Sequence, residues 1–273
     1  MRYDLLDREV DETGLERLAA SKKGAAPAER QNGIDRTIDL LEALLHLRAP
    51  SKLGDLAKEM GAPRSTVYAI ANRLIEADIL ENVGEGGQIY FGKAVHLYGR
   101  AYADANPLHR RCREALEKLA TEHNATAQLC ALRGNKYVVV DTQDGSGLFR
   151  ITTDVGVEVP LPWTASGRLL LDHMSPDEIR AFIPREDFQL PDGRRLDVND
   201  FIKDVARAKR DGKCTTTALS DRFTSCLAAP IRDRQGVAVA TLCFVIPADS
   251  PKERKTALLD ELVTTARELS DHP

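Results

Sequence analysis

SKLGDLAKEMGAPRSTVYAIANRLIEADILENVGEGGQIYF, residues 51–91, decides the fold of the N-terminal part of this chain. Leu53, Leu56, Ala57 and Met60 recur at helical spacing and give one apolar face. Gly61 stops that helix, because glycine accepts the left-handed conformation a helix end often needs. Pro63 suits the first turn of a second helix, over about 63–77, where no backbone donor is required. Val67, Ile70, Ala71 and Leu74 turn inward there, which leaves Arg64, Ser65, Thr66, Tyr68, Asn72 and Arg73 for the outside. Two short strand signals, 81–83 and 88–91, flank Gly84, Gly86 and Gly87 as a hairpin. Helix, tight turn, helix and hairpin describe a winged helix-turn-helix, whose second helix fits the DNA major groove.

Taken alone, the second helix also reads as a solvated amphipathic helix. Its flanks argue for the groove. Upstream, Ile34, Ile38, Leu41 and Leu45 mark a further amphipathic helix with Arg36 near its start. Three helices and a wing complete a small domain over 31–92. Between Arg30 and Arg100 there are about as many acidic as basic side chains, so a broad basic footprint is missing. DNA binding then depends on the local placement of Arg36, Lys52, Arg64 and Arg73, with hydroxyls reaching phosphates and Tyr68 and Asn72 reaching base edges.

The chain has 273 residues, enough for about two domains. With 42% hydrophobic and 29% charged residues it has the composition of an ordinary soluble protein. A net charge of −4 argues against a general nucleic-acid coating role. The acidic N-terminus lacks the apolar core of a signal peptide, and no apolar run is long enough for a bilayer; the expectation is a cytoplasmic protein. Five scattered cysteines without a CxxC pair fit neither a disulfide framework nor a closed zinc site. His109, His123, Cys112 and Cys130 lack metal-ligand spacing, and neither a GxSxG nor a P-loop is present, so no metal or cofactor is expected.

Residues 1–30 read as an arm ending in the linker SKKGAAPAER, and 93–105 as a connecting helix with Val95, Leu97 and Tyr98 available for packing. Asn106-Pro107 opens the second domain, 106–273, as N-cap and first-turn proline. Strands over 126–132 and 137–142 surround the Gly134-Asn135 turn, and 148–153 reads as a third. Helices are expected over 163–174, after the capping box Ser175-Pro-Asp-Glu178, and over 198–210. Three strands (214–219, 225–231, 237–246) and a closing helix complete an α+β domain with a largely antiparallel sheet. WTASGRLLL puts small residues and the Thr164 and Ser166 hydroxyls at a helix opening, the pattern of an anion site or of a plain N-cap.

The chain resembles the IclR family of bacterial transcriptional regulators. PRSTVYAIANRL, the YFGKAVHLYG joint, VPLPWTASGRLLL and CLAAPIRDRQGVAVATL carry the resemblance, in order, over about 31–270. It implies a GAF-like effector domain, homodimers or homotetramers, and a palindromic operator near a catabolic operon. The family's TAxGK segment corresponds to Thr164, Ala165, Ser166, Gly167 and Arg168, whose helix start would receive a ligand carboxylate. The family's strand cysteine is Cys226, and the small polar positions of the last strand fall at Cys243 and Val245. Thr215, Thr216 and Thr217 replace a common acidic residue, and Trp163 stands where a small residue is usual. A pocket of lower polarity follows, sized for an aromatic or medium-length organic acid, with Trp163 either packed or stacked on the ligand. The expected function is a ligand-responsive repressor rather than an enzyme. The rivals are a cysteine-dependent redox sensor or small-molecule enzyme, and a DNA-associated protein whose second domain binds only protein.

Overall fold

The computed structural model describes residues 33–84, 86–146 and 155–270. The arm over 1–30 and the strand expected over 148–153 lie outside the described residues. The chain divides into two compact units, 1–102 and 103–273.

In the first unit, α1 (Gly33–Leu47), α2 (Leu53–Glu59) and α3 (Arg64–Glu76) precede a hairpin of β2 (Leu80–Val83) and β3 (Gln88–Phe91). A two-residue strand, β1 (Ser51–Lys52), pairs antiparallel with β3 and gives the sheet order β1-β3-β2; the sequence reading did not separate it from the helix that follows. Gly61 adopts φ 60° between α2 and α3. The core joins Leu40 and Leu44 of α1, Leu56 of α2, Val67 and Ala71 of α3, and Ile89 of the wing.

The face expected of α1 is corrected. Ile34 and Ile38 stand exposed at 72% and 52%, and the inward stripe is Leu40, Ala43 and Leu44. GIDRTIDLLEALLHL holds two apolar stripes at helical spacing, so periodicity alone supports either. Leu97 and Tyr98 of α4 (Lys93–Ala105) are likewise exposed, and Ala94 is the buried residue of that helix.

The second unit is a six-stranded antiparallel sheet between two helical layers. Its strands are β4 (Thr126–Arg133), β5 (Lys136–Gln143), β6 (Glu158–Pro160), β7 (Cys214–Thr217), β8 (Thr224–Arg232) and β9 (Ala238–Pro247), in the order β6-β5-β4-β9-β8-β7. Leu242, Phe244 and Ile246 of β9 point to one face, against α5 (Pro107–His123) and α9 (Lys252–Leu269). Cys243 and its neighbours Cys130 and Ala228 point to the other, against α6 (Ala165–Leu170), α7 (Pro176–Phe182) and α8 (Val198–Asp211). A central strand covered on both faces reads as a continuous apolar run, as ATLCFVI does. Local signals act as expected: Asn106 Oδ1 accepts from the His109 N–H at 3.1 Å, Ser175 and Glu178 make both capping-box bonds, and Gly212 ends α8 at φ 62°.

The single helix expected over 163–174 is corrected. A 3-10 turn, Leu161–Trp163, comes first, Thr164 is extended at φ −125°, and α6 runs for six residues only. Thr164 Oγ1 accepts from the Gly167 N–H at 2.9 Å, and this cap resets the chain between the two pieces.

Candidate DNA-reading face and effector cavity

On α3, Val67, Ala71 and Leu74 are buried while Arg64, Ser65, Tyr68 and Asn72 are exposed. A helix with 3.6 residues per turn brings those four to one side. The Arg64 guanidinium lies beside Gly54, in the first turn of α2. Lys52, at the N-cap of α2, is also exposed. Thr66 is half-buried. Arg73 is exposed but pairs with Glu76 at 2.9 Å, so part of its charge is spent within the helix. Arg36 is half-buried on α1 with its Nε shut off from solvent.

In the second unit, a cavity of about 110 Å³ lies between the sheet and the start of α6. A single buried water needs roughly 10–15 Å³ of such space, so a small organic molecule fits. Thr164, Ala165 and Ser166 form its roof, and Cys226, Cys243 and Val245 part of its floor. Three residues assigned to the ligand by sequence lie outside this lining. Trp163 is half-buried and its indole N–H donates to the Asp187 carbonyl at 2.8 Å, a packing role. Gly167 lets α6 press on the preceding turn, since a Cβ there would collide with the Leu161 carbonyl. Thr216 faces Cys226 across β7 and β8.

The lining also contains Gln128 of β4, Tyr137 of β5, Val159 of β6, and Ser220, Asp221 and Thr224 near β8, all missed by the sequence reading. An amide, a phenol, several hydroxyls and a carboxylate thus stand beside the apolar groups of the lining. Asp221 brings a carboxylate to the cavity from the loop before β8, where it accepts from the Phe223 N–H at 2.7 Å. Gln128 was detectable as a polar residue inside an apolar strand; the loop residues carried no such signal. Among the described residues no lysine or arginine lines the cavity.

Beneath the roof, Thr241 Oγ1 donates to Ser166 Oγ at 2.7 Å, and Ser166 Oγ lies 2.8 Å from Cys243 Sγ. Cys130 Sγ lies 3.9 Å from Cys243 Sγ and 2.8 Å from the Tyr137 hydroxyl. Hydrogen bonds from Cys130, then from Ser166, hold the Cys243 thiol below its ordinary value although burial opposes them. Burial pushes the Cys226 thiol up to about 12 and those of Cys112 and Cys214 up to about 11. Arg168, buried behind the roof, donates to the Pro162 and Thr164 carbonyls at 3.2 and 2.7 Å, pairs with Asp204 and stacks 5.0 Å over the Phe201 ring.

Residues 100–271 match the family model of the bacterial transcriptional regulator IclR C-terminal domain, and 33–84 match the IclR helix-turn-helix domain. The chain belongs to the IclR family. It is a DNA-binding transcriptional regulator by that membership. The HTH-type transcriptional repressor AllR of Escherichia coli (strain K12) is 23% identical over 254 residues, 91% of this chain and 94% of its own. The HTH-type transcriptional regulator KipR of Bacillus subtilis (strain 168) is 23% identical over 211 residues, 75% of this chain and 84% of its own. Among solved structures, an IclR transcriptional regulator from Alicyclobacillus acidocaldarius has a TM-score of 0.79 at 18% identity, covering 89% of this chain and 98% of its own. An IclR homologue from Microbacterium hydrocarbonoxydans complexed with 4-hydroxybenzoate has a TM-score of 0.75 at 21% identity, covering 87% and 98%. These likenesses establish the fold. No helix among the described residues is long and apolar enough to cross a membrane.

Proposed function

We propose that this IclR-family member is a ligand-responsive repressor, acting in the cytoplasm on a palindromic operator and sensing a small hydroxylated or oxo organic acid in the cavity of its second unit. The observation that carries the DNA-reading half is the exposed Arg64–Ser65–Tyr68–Asn72 face of α3 above a fully apolar inner face. Arginine and asparagine are the side chains best matched to guanine and adenine edges in the major groove. A dimer places two such faces on half-sites about one helical turn, or a multiple of it, apart. The exposed Ile34, Ile38, Leu97 and Tyr98 supply apolar surface for association between copies.

The lining supports the ligand class. With no lysine or arginine among the described residues of the wall, a carboxylate or carbonyl oxygen is met by neutral donors, the Ser220 hydroxyl and the Gln128 amide. Asp221 offers an acceptor to a ligand hydroxyl. The related regulator crystallised with 4-hydroxybenzoate carries both kinds of group on its ligand. Repressor action follows the named relative AllR.

Fluorescence anisotropy on the chain's own upstream DNA, against a scrambled duplex, tests the DNA-reading half. Arg64→Ala is expected to weaken operator binding by about 1–3 kcal/mol, roughly 5- to 150-fold, with effector affinity retained. An unchanged operator affinity in that variant removes α3 as the reading element.

A further inference from the structure

We propose that Cys243 is a covalent attachment site within the cavity, taking a small α,β-unsaturated ketone or aldehyde, such as an oxo-enoic acid, with Gln128 holding the carbonyl oxygen.

Two chains of hydrogen bonds end on the Cys243 sulfur. Thr241 donates to Ser166 Oγ, so the Ser166 proton is left to point at Cys243 Sγ, 2.8 Å away. On the other side the Tyr137 phenol, a stronger donor than a thiol, bonds Cys130 Sγ at 2.8 Å, which leaves the Cys130 S–H for Cys243 at 3.9 Å. Hydrogen bonds received from both sides favour the thiolate, the nucleophilic form of cysteine. The two chains lower its pKa against the burial around it, whereas Cys112, Cys130, Cys214 and Cys226 are all displaced upward.

The second observation is independent of the sulfur and points to an occupant. Gln128 is 1% exposed, and its Nε2 is buried with no hydrogen-bond partner among the described residues. A buried donor without an acceptor is costly, and native interiors rarely keep one. Gln128 lines the same cavity and is the register partner of Cys243 across β4 and β9, so the two side chains leave the sheet on the same face. A ligand in the cavity that both residues line supplies that acceptor once the amide turns to meet it. An enone fits both: its β-carbon meets Cys243 Sγ and its oxygen meets the Gln128 amide.

The step balances without an oxidant or a leaving group. The thiolate electron pair forms the S–C bond at the β-carbon while the C=C pair moves towards the carbonyl oxygen, where the Gln128 N–H meets the developing charge. The α-carbon then takes up one proton, equal to the one the thiol released.

The proposal rests on the reading of the cavity as a ligand site, and the test separates the two. The full chain is treated with methyl vinyl ketone, and adducts are located by peptide mass spectrometry over time. The native protein is expected to gain one adduct at Cys243 before any other cysteine, with a rate that stays high below pH 8.5, where an ordinary thiol slows. Ser166→Ala is expected to slow labelling about tenfold and raise its pH midpoint, as one donor to a charged acceptor is lost. Gln128→Met is expected to slow it comparably without moving that midpoint. Cys243→Ser is expected to abolish the fast adduct. First labelling at Cys214 or Cys226, or a Cys243 rate no faster than in the denatured chain, overturns the proposal. An operator response to organic acids in a protein that gains no fast Cys243 adduct from methyl vinyl ketone likewise overturns the proposal and leaves the effector reading intact. A rapid Cys243 adduct that leaves operator affinity unchanged supports the attachment site and counts against the effector reading instead.

Discussion

At Arg168 one side chain holds the cavity roof in place. Its guanidinium ties together two carbonyls of the 3-10 turn and cap, an aspartate on α8 and an aromatic face, a fork geometry lysine does not reproduce. Arg168→Ala is expected to cost about 2–4 kcal/mol, by the loss of several hydrogen bonds to a buried charge and its ion pair. Arg168→Lys, the residue of the family pattern, should recover part of this; urea denaturation checks both. Equal stability of all three proteins would show that the roof is held by packing alone. The buried thiols set a pH dependence of opposite sign to that of Cys243. Cys112 stays protonated to about 11 in the folded chain, while an unfolded cysteine ionises near 8.5. Its stabilising contribution is full below about pH 8.5 and is lost as pH rises towards 11, with a slope of up to about 1.4 kcal/mol per pH unit. Cys112→Ala should therefore lose less stability between pH 8 and 10.5 than the parent does. A parallel loss in both proteins would place the pH dependence elsewhere.

Elements differ in how openly the sequence declares them. α2, its Gly61 stop, α3 and the wing were legible because each has a periodic interior and its own punctuation. The same holds for the Ser175 capping box and for α8. α1 was legible as a helix but not in orientation, because Leu40–Leu44 and Ile34–Ile38 compete as apolar stripes and tertiary contacts decide between them. The cavity was legible where residues share one segment, as Thr164 to Ser166 do. It was hidden where distant strands contribute single residues, since Gln128 and Cys243 become neighbours only through the β4–β9 register. The split of the expected 163–174 helix turns on Gly167, whose missing Cβ lets α6 approach Leu161. Gly167→Ala is expected to destabilise by about 1–3 kcal/mol and to disturb the cavity, because backbone rather than a flexible side chain must yield. Gly99→Ala on α4, with open space around it, should instead stabilise by up to about 1 kcal/mol. Thermal unfolding of the pair distinguishes a close-approach glycine from a replaceable one; a stabilised Gly167→Ala would contradict the packing described.

For the molecule as a whole, two units with separate cores carry the two proposed recognition surfaces, one for nucleic acid and one for a small molecule. With little net charge around α3, the proposed operator contact draws on few basic side chains. Operator affinity should fall more gently with salt than the slope near −10 of a heavily basic reader. A ligand regulates only if it favours one arrangement of the DNA-reading units over another, and the coupling is reciprocal: the acid changes operator affinity by the factor by which the operator changes acid affinity. The most direct measurement is an operator titration by fluorescence anisotropy with the full chain, alone and saturated with each of a set of hydroxylated and oxo organic acids. One acid is expected to shift operator affinity by roughly 5–150-fold, with calorimetry returning the same factor for acid binding with and without operator. Acids that bind in the cavity yet leave operator affinity unchanged, or an operator bound no better than the scrambled duplex, would contradict the account.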